Sequence, residues 1–202
     1  DAVCDVARSP GNVLVGMPNY AEAAWMAESL SDRLDKPVLL DESTADDETE
    51  SLKAEFFGGE SKVLVTSLRG TLTEGVDYRG DRLAAAVVCG VPIIDTSSPR
   101  TRALRTAYDR RFGSDGQGGW SGFETALTVP AVRKARQAIG RVIRGREEVG
   151  IRAFVDARYA RASWDSVREY LPETEREEFD PVSPDMLEFG VDRFWSDVDA
   201  RR

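Results

Sequence analysis

The feature that most constrains this chain is an alternation. Short apolar runs of strand length are separated by stretches with helical spacing. Asn12-Val-Leu-Val-Gly-Met17, bounded by Gly11 and Pro18, reads as a buried strand. Residues 19–34 follow with Ala23, Met26, Ala27 and Leu30 on one helical face. Pro37–Leu40, Lys62–Thr66, Leu83–Val91 and Ile151–Val155 are four further strand-like runs. Residues 99–112, 130–144 and 163–171 read as helices, with Pro130 suited to a first helical turn. Residues 41–60 hold eight acids against Lys53 alone and read as a solvated loop and helix. Gly113 to Gly122 holds five glycines and reads as a flexible loop. Residues 186–200 carry Leu187, Val191, Phe194, Trp195 and Val198 on one face, which predicts a docked helix. Apolar strands alternating with amphipathic helices predict an α/β fold: a parallel sheet covered on both faces. The expected division is one domain over 1–172 with a C-terminal helical extension over 173–202.

Composition narrows the functional classes. No apolar run approaches the roughly 18 residues of a membrane span, and DAVCDVARSP at the start has no signal-peptide pattern. Beginning at Asp1, the sequence reads as a segment of a longer protein. There is no histidine, which excludes His-based triads and His metal sites. Cys4 and Cys89 are too far apart for a metal spacing or a disulfide framework, so reduced thiols in a cytoplasmic protein are expected. The net charge is −9, from 27 basic and 36 acidic residues, and argues at first against a polyanionic partner. Only four of the basic residues are lysines. Abundant acids and scarce lysines point to a salt-adapted cytoplasm, as in haloarchaea, where surface acidity serves solvation.

Three places could carry chemistry, since open α/β sheets build sites beyond the carboxyl ends of strands. Thr66–Tyr78 follows a strand, is polar, and contains Gly70, Gly75 and Asp77. Its hydroxyls and amides suit phosphate or ribose, and equally an ordinary connecting loop. On 130–144, Arg133, Lys134, Gln137, Arg141 and Arg144 share one stripe opposite Ile139, Val142 and Ile143. Residues 131–161 hold nine basic and three acidic residues. Such a stripe fits an anion, or a solvated face set against acids elsewhere. Asn19-Tyr20 follows the first strand; its tyrosine suits base stacking or a core position. No GxxxxGK[ST] phosphate loop is present, nor an Asp-Glu pair after a strand to hold magnesium.

Five segments, in order, resemble one family. Gln137-Ala-Ile-Gly-Arg-Val-Ile-Arg144 resembles the sixth motif of superfamily 2 helicases in its XPD/DinG form. Gly150-Ile-Arg-Ala-Phe-Val-Asp-Ala-Arg-Tyr159 resembles the continuation of that motif. Arg69–Asp81 resembles the fifth motif, Val87–Pro92 the strand after it, and Gly11–Tyr20 the fourth motif. The resemblance implies the second RecA-like motor domain of an ATP-dependent DNA helicase. It implies Arg141 and Arg144 at the γ-phosphate, one as an arginine finger, with Gln137 beside them. It implies Glu74, Gly75 and Asp77 at the nucleotide edge, and Asn19, Tyr20 and Arg69 on single-stranded DNA. Asn19 and Thr73 replace the family's usual serines with small polar residues. ATP and Mg2+ are expected mainly on an N-terminal motor domain of the same protein. That domain brings the phosphate loop and, in many members, an iron–sulfur cluster; no metal site is expected in this chain. A stand-alone nucleic-acid-binding module and half of an RNA helicase are the alternatives.

Overall fold

The computed structural model describes residues 1–42, 46–70, 83–112, 121–143, 148–160 and 164–201. Among these, five strands form one all-parallel sheet: β1 (Val13–Met17), β2 (Val38–Leu40), β3 (Val63–Ser67), β4 (Ala85–Cys89) and β5 (Ile151–Val155). Their spatial order is β2-β3-β1-β4-β5, and the three central strands are buried along their whole length. In the register, Val13 pairs with Val63 on one side and Ala85 on the other.

Side chains alternate between the faces, as strand geometry requires. Val13, Val15, Met17, Val63, Val65, Ala85, Val87 and Cys89 enter one core with α1 (Ala2–Ala7), α2 (Tyr20–Ser31) and α8 (Leu187–Asp199). Leu14, Leu64, Ala86 and Val88 enter the other with α3 (Asp46–Phe57) and α5 (Val129–Ile139). The predicted sheet with both faces covered is therefore the observed architecture. The docked C-terminal helix is also found: Leu187, Val191 and Trp195 pack on the first core, and Trp195 Nε1 donates to Ser9 Oγ at 3.0 Å.

Three expectations need correction. The helix expected over 130–144 ends at Ile139, with Gly140 as its cap; a glycine inside that run is a weak helix former. The helix expected over 163–171 is only a short 3-10 turn, Arg168–Tyr170, within the described residues. The solvated reading of 41–60 fails at Asp41 and Phe56, which are 3% and 1% exposed. An acidic stretch conceals such residues because burial depends on what packs above them. The glycine-rich run falls mostly on 113–120, outside the described residues.

Candidate functional site

The connections after β1 and β4 leave on opposite faces, through α2 and toward α5, so a crevice opens between these neighbours at their carboxyl ends. Gly90 lies there with φ +67°, and a Cβ on it would stand 3.0 Å from Pro18 Cγ. Both conformation and space demand glycine. Asn19 closes the N-terminus of α2: the Glu22 amide donates to its Oδ1 at 2.9 Å, and its Nδ2 donates to Glu22 Oε1 at 2.8 Å. Asp156, just past β5, accepts from the Arg158 amide at 2.9 Å, from Nε at 2.9 Å and from Nη2 at 2.6 Å. Burial pushes the Asp156 carboxyl up, but the Arg158 bonds outweigh it and hold the group below the usual carboxylate range. Tyr159 stacks on Phe154, centroids 4.1 Å apart, and its hydroxyl donates to Gly90 O at 3.4 Å.

Beside this crevice, β2 and β3 end in a second polar cluster. Thr66 Oγ1, fully buried, donates to Asp41 Oδ2 at 2.6 Å. The Asp41 amide donates to Val65 O at 2.9 Å, continuing the ladder. A tight turn follows, closed by Gly70 N on Ser67 O at 2.8 Å. Asp41 Oδ2 and the Tyr20 hydroxyl each stand 3.0 Å from where a Cβ on Gly70 would sit. This turn presents Arg69 to solvent; its Nη2 donates to Ile93 O at 2.6 Å. Asn19, Tyr20 and Arg69 therefore share the carboxyl edge of the sheet.

The basic helix ends elsewhere. Ala131, Val132, Ala135, Ala138 and Ile139 are buried, while Arg133 and Gln137 face solvent, so the predicted amphipathic split holds over α5. Val142, in the turn after α5, is buried and packs where a Cβ on Gly150 would fall, and that position is also 2.7 Å from Ala84 O. Ala84 and Gly150 precede β4 and β5, so Gln137 and Arg141 lie toward the amino edge of the sheet. The reading that all three places lie beyond carboxyl ends is thus corrected for this one. The physical reason is direction: α5 enters a parallel strand and must run back against the sheet. Arg136 on the same helix has a carboxylate partner. It forms a bidentate pair with Glu175 of α7 (Glu173–Glu178), and that hydrogen-bonded partner raises its already high pKa.

Comparison with known proteins bears on this arrangement. Residues 3–176 match the model of a helicase C-terminal domain. The chain belongs to that family. Helicase subunit XPD of the general transcription and DNA repair factor IIH from Dictyostelium discoideum is 36% identical over 107 residues, which are 51% of this chain and 12% of that protein. The Schizosaccharomyces pombe XPD subunit is 28% identical over 168 residues, 76% of this chain and 20% of that one. A regulator of telomere elongation helicase 1 homolog from Drosophila sechellia is 29% identical over 173 residues, 80% of this chain and 18% of that one. The chain thus spans a fifth or less of the length of these relatives. Two solved XPD structures share the fold, with TM-scores of 0.55 and 0.54 at 20% and 21% identity; they cover 84% and 78% of this chain, which covers 29% and 30% of theirs.

For this XPD-like helicase C-terminal domain, Glu74, Gly75, Asp77 and Arg144 lie outside the described residues. Among the described residues no group of three or more acidic or cysteine side chains is placed to hold a metal ion. No described helix is long and apolar enough to cross a membrane. Sequence reasoning missed Asp41 altogether, and it placed Thr66 at the head of a candidate loop without its buried carboxylate partner. The Asp156–Arg158 pair carried a signal, the D-x-R-Y spacing within Gly150–Tyr159, without its role as an internal brace.

Proposed function

We propose that this domain is the C-terminal motor half of an ATP-dependent DNA helicase of XPD type, acting in DNA unwinding and repair. The supporting observation is the arrangement on a RecA-like sheet. Asn19, Tyr20 and Arg69 gather at one edge, and Gln137 and Arg141 close α5 toward the other. In this reading Arg141, with Arg144, reaches the γ-phosphate as it becomes more negative, and Gln137 orients beside it. A finger of this kind is worth about 10³–10⁵ in rate. Glu74, Gly75 and Asp77 line the nucleotide edge. ATP and Mg2+ are held mainly by an N-terminal motor domain of the same protein. When the γ-phosphate leaves, the attraction holding the arginines against that domain disappears and the cleft opens. Single-stranded DNA on Asn19, Tyr20 and Arg69 is then shifted, without sequence preference, by backbone contact and stacking. The whole protein works in the cytoplasm, and this chain alone does not hydrolyse ATP.

The test is DNA-stimulated ATPase activity of the chain alone, with the N-terminal motor domain supplied, and with Arg141→Ala. Activity is expected only with both halves present, and the variant is expected to lose about 10³-fold or more of it. Undiminished activity in the variant overturns the finger assignment. Stimulation by RNA but not DNA would move the chain to an RNA helicase. Full DNA affinity that is indifferent to nucleotide and to the second half would make it a binding module.

A further inference from the structure

Helix α4 (Pro99–Phe112) is basic in an acidic protein: five arginines and one aspartate in fourteen residues. Its inner side is identifiable. Thr101 is buried, Tyr108 and Asp109 are half-buried, Asp109 Oδ1 accepts from Gly122 N at 2.6 Å, and Arg105 lies over the Phe123 ring at 5.8 Å. At about 100° per residue, Arg100, Arg110 and Arg111 fall on the opposite, outward side, Arg102 lies at the flank beside Asp109, and all four arginines are exposed. The positions three and four residues from Arg100, Arg102 and Arg110 carry no carboxylate, so helical spacing offers these cations no intrahelical ion pair. The helix therefore gathers exposed positive charge along its length, which raises the local potential for an anion.

The surface is continuous with the carboxyl edge already described. Arg69 Nη2 holds Ile93 O at 2.6 Å, and the segment from Ile93 leads directly into α4. Asp95, midway, feels both ends. The Ser97 hydroxyl and amide hold its carboxyl below the usual range, with Arg69 and Arg102 adding to the effect. Arg69 and Arg102 thus flank one small exposed loop.

We infer that exposed arginines of α4 bind the phosphate backbone of the nucleic-acid strand that passes Arg69, extending its track through Arg102 and on to Arg110. This rests on the reading of Arg69 as a strand contact. Phosphate contacts on exposed arginines carry no base preference and depend steeply on salt. An acidic protein surface is the competing occupant.

The experiment titrates a fluorescein-labelled oligothymidylate with the full chain at several salt concentrations. It compares wild type, Arg69→Ala, Arg102→Ala/Arg110→Ala, and the corresponding double lysine variant. The double alanine variant is expected to bind on the order of tenfold more weakly at ~0.1 M salt, with a log–log salt slope shallower by about 1.4. The lysine variant keeps the charge and is expected to retain most of the affinity. Its circular dichroism, and that of the alanine variant, reports whether α4 still folds. If wild type binds, Arg69→Ala weakens binding and the double alanine variant does not, the α4 track is overturned and the Arg69 reading stands. If Arg69→Ala also leaves binding unchanged, or wild type does not bind, the underlying strand reading fails with it.

Discussion

Asp41 sits at the end of an edge strand, yet is buried, and its carboxylate takes the Thr66 hydroxyl at 2.6 Å. Low local dielectric strengthens such a bond and makes its loss costly. Asp41→Ala leaves the Thr66 hydroxyl without that acceptor and opens space against Gly70 and Tyr20. We expect a loss of ~1–3 kcal/mol, read as a lower urea midpoint at unchanged slope. An unchanged midpoint would mean that water replaces the carboxylate without cost. Arg69, presented by the same turn, should also be held less firmly, so the variant ought to bind single-stranded DNA more weakly than its fold loss explains. Nothing in the one-dimensional pattern singles out Asp41. It stands first in an acidic run whose other described carboxylates are exposed, and the neighbouring ends of β2 and β3 bring it to Thr66.

At the scale of elements, the decisive joint is the return of α5 into the sheet. Gly140 ends the helix, Val142 turns inward, and Gly150 enters β5 against Ala84. A Cβ at residue 150 would meet Val142 and stand 2.7 Å from the Ala84 carbonyl, a backbone atom that cannot rotate away. Gly150→Ala should therefore separate β4 from β5 locally and displace Arg141, with destabilisation of ~1–3 kcal/mol from overpacking. Thermal melting measures the first effect. ATPase rescue with the N-terminal half measures the second, which we expect to fall below wild type. Full stability and activity in the variant would show that the joint has slack. Glycine at this position is explained by space, a requirement that the motif records without stating its cause.

At the scale of the whole molecule, buried titratable groups tie stability to pH in opposing directions. Burial, with Glu22 and Asp156 adding, pushes the Cys89 thiol up from 9.0 to about 12. The folded chain keeps that proton after the unfolded chain has lost it. This contribution is intact below pH 9 and is lost as pH rises toward 12. Burial raises the Tyr159 and Tyr170 phenols, Tyr170 also through its bond to Glu124, and both act in the same direction as Cys89. Lys36 runs the other way. Its ammonium contacts the Ala7, Ser9 and Gly11 carbonyls, and burial lowers it from 10.5 to about 8. The unfolded chain binds more protons between those values, so stability gains with pH across that window. The two effects oppose each other between pH 9 and 10.5, and above 10.5 only the losses remain. The melting temperature should rise from pH 8 to 9, where Lys36 acts unopposed, level off as the two effects compete, and drop above 10.5; a midpoint still climbing above 10.5 counts against this balance.

Sequence alone determined the strand runs, the faces of the helices and the order of the family motifs. These follow from local periodicity and from residue types that a parallel sheet and amphipathic helices require. Tertiary structure decided the rest. Asn19 became a helix cap, because its side chain meets the amide of Glu22. Arg136, outside the predicted stripe, found its partner in Glu175, thirty-nine residues away along the chain. The end of α5 came to the amino edge of the sheet, because a helix between parallel strands must run back against them. Net charge, −9 for the whole chain, likewise resolved into places: α5, and beyond it the exposed arginines of α4. Charge along a chain is a sum, while recognition depends on which charges the fold brings to one surface.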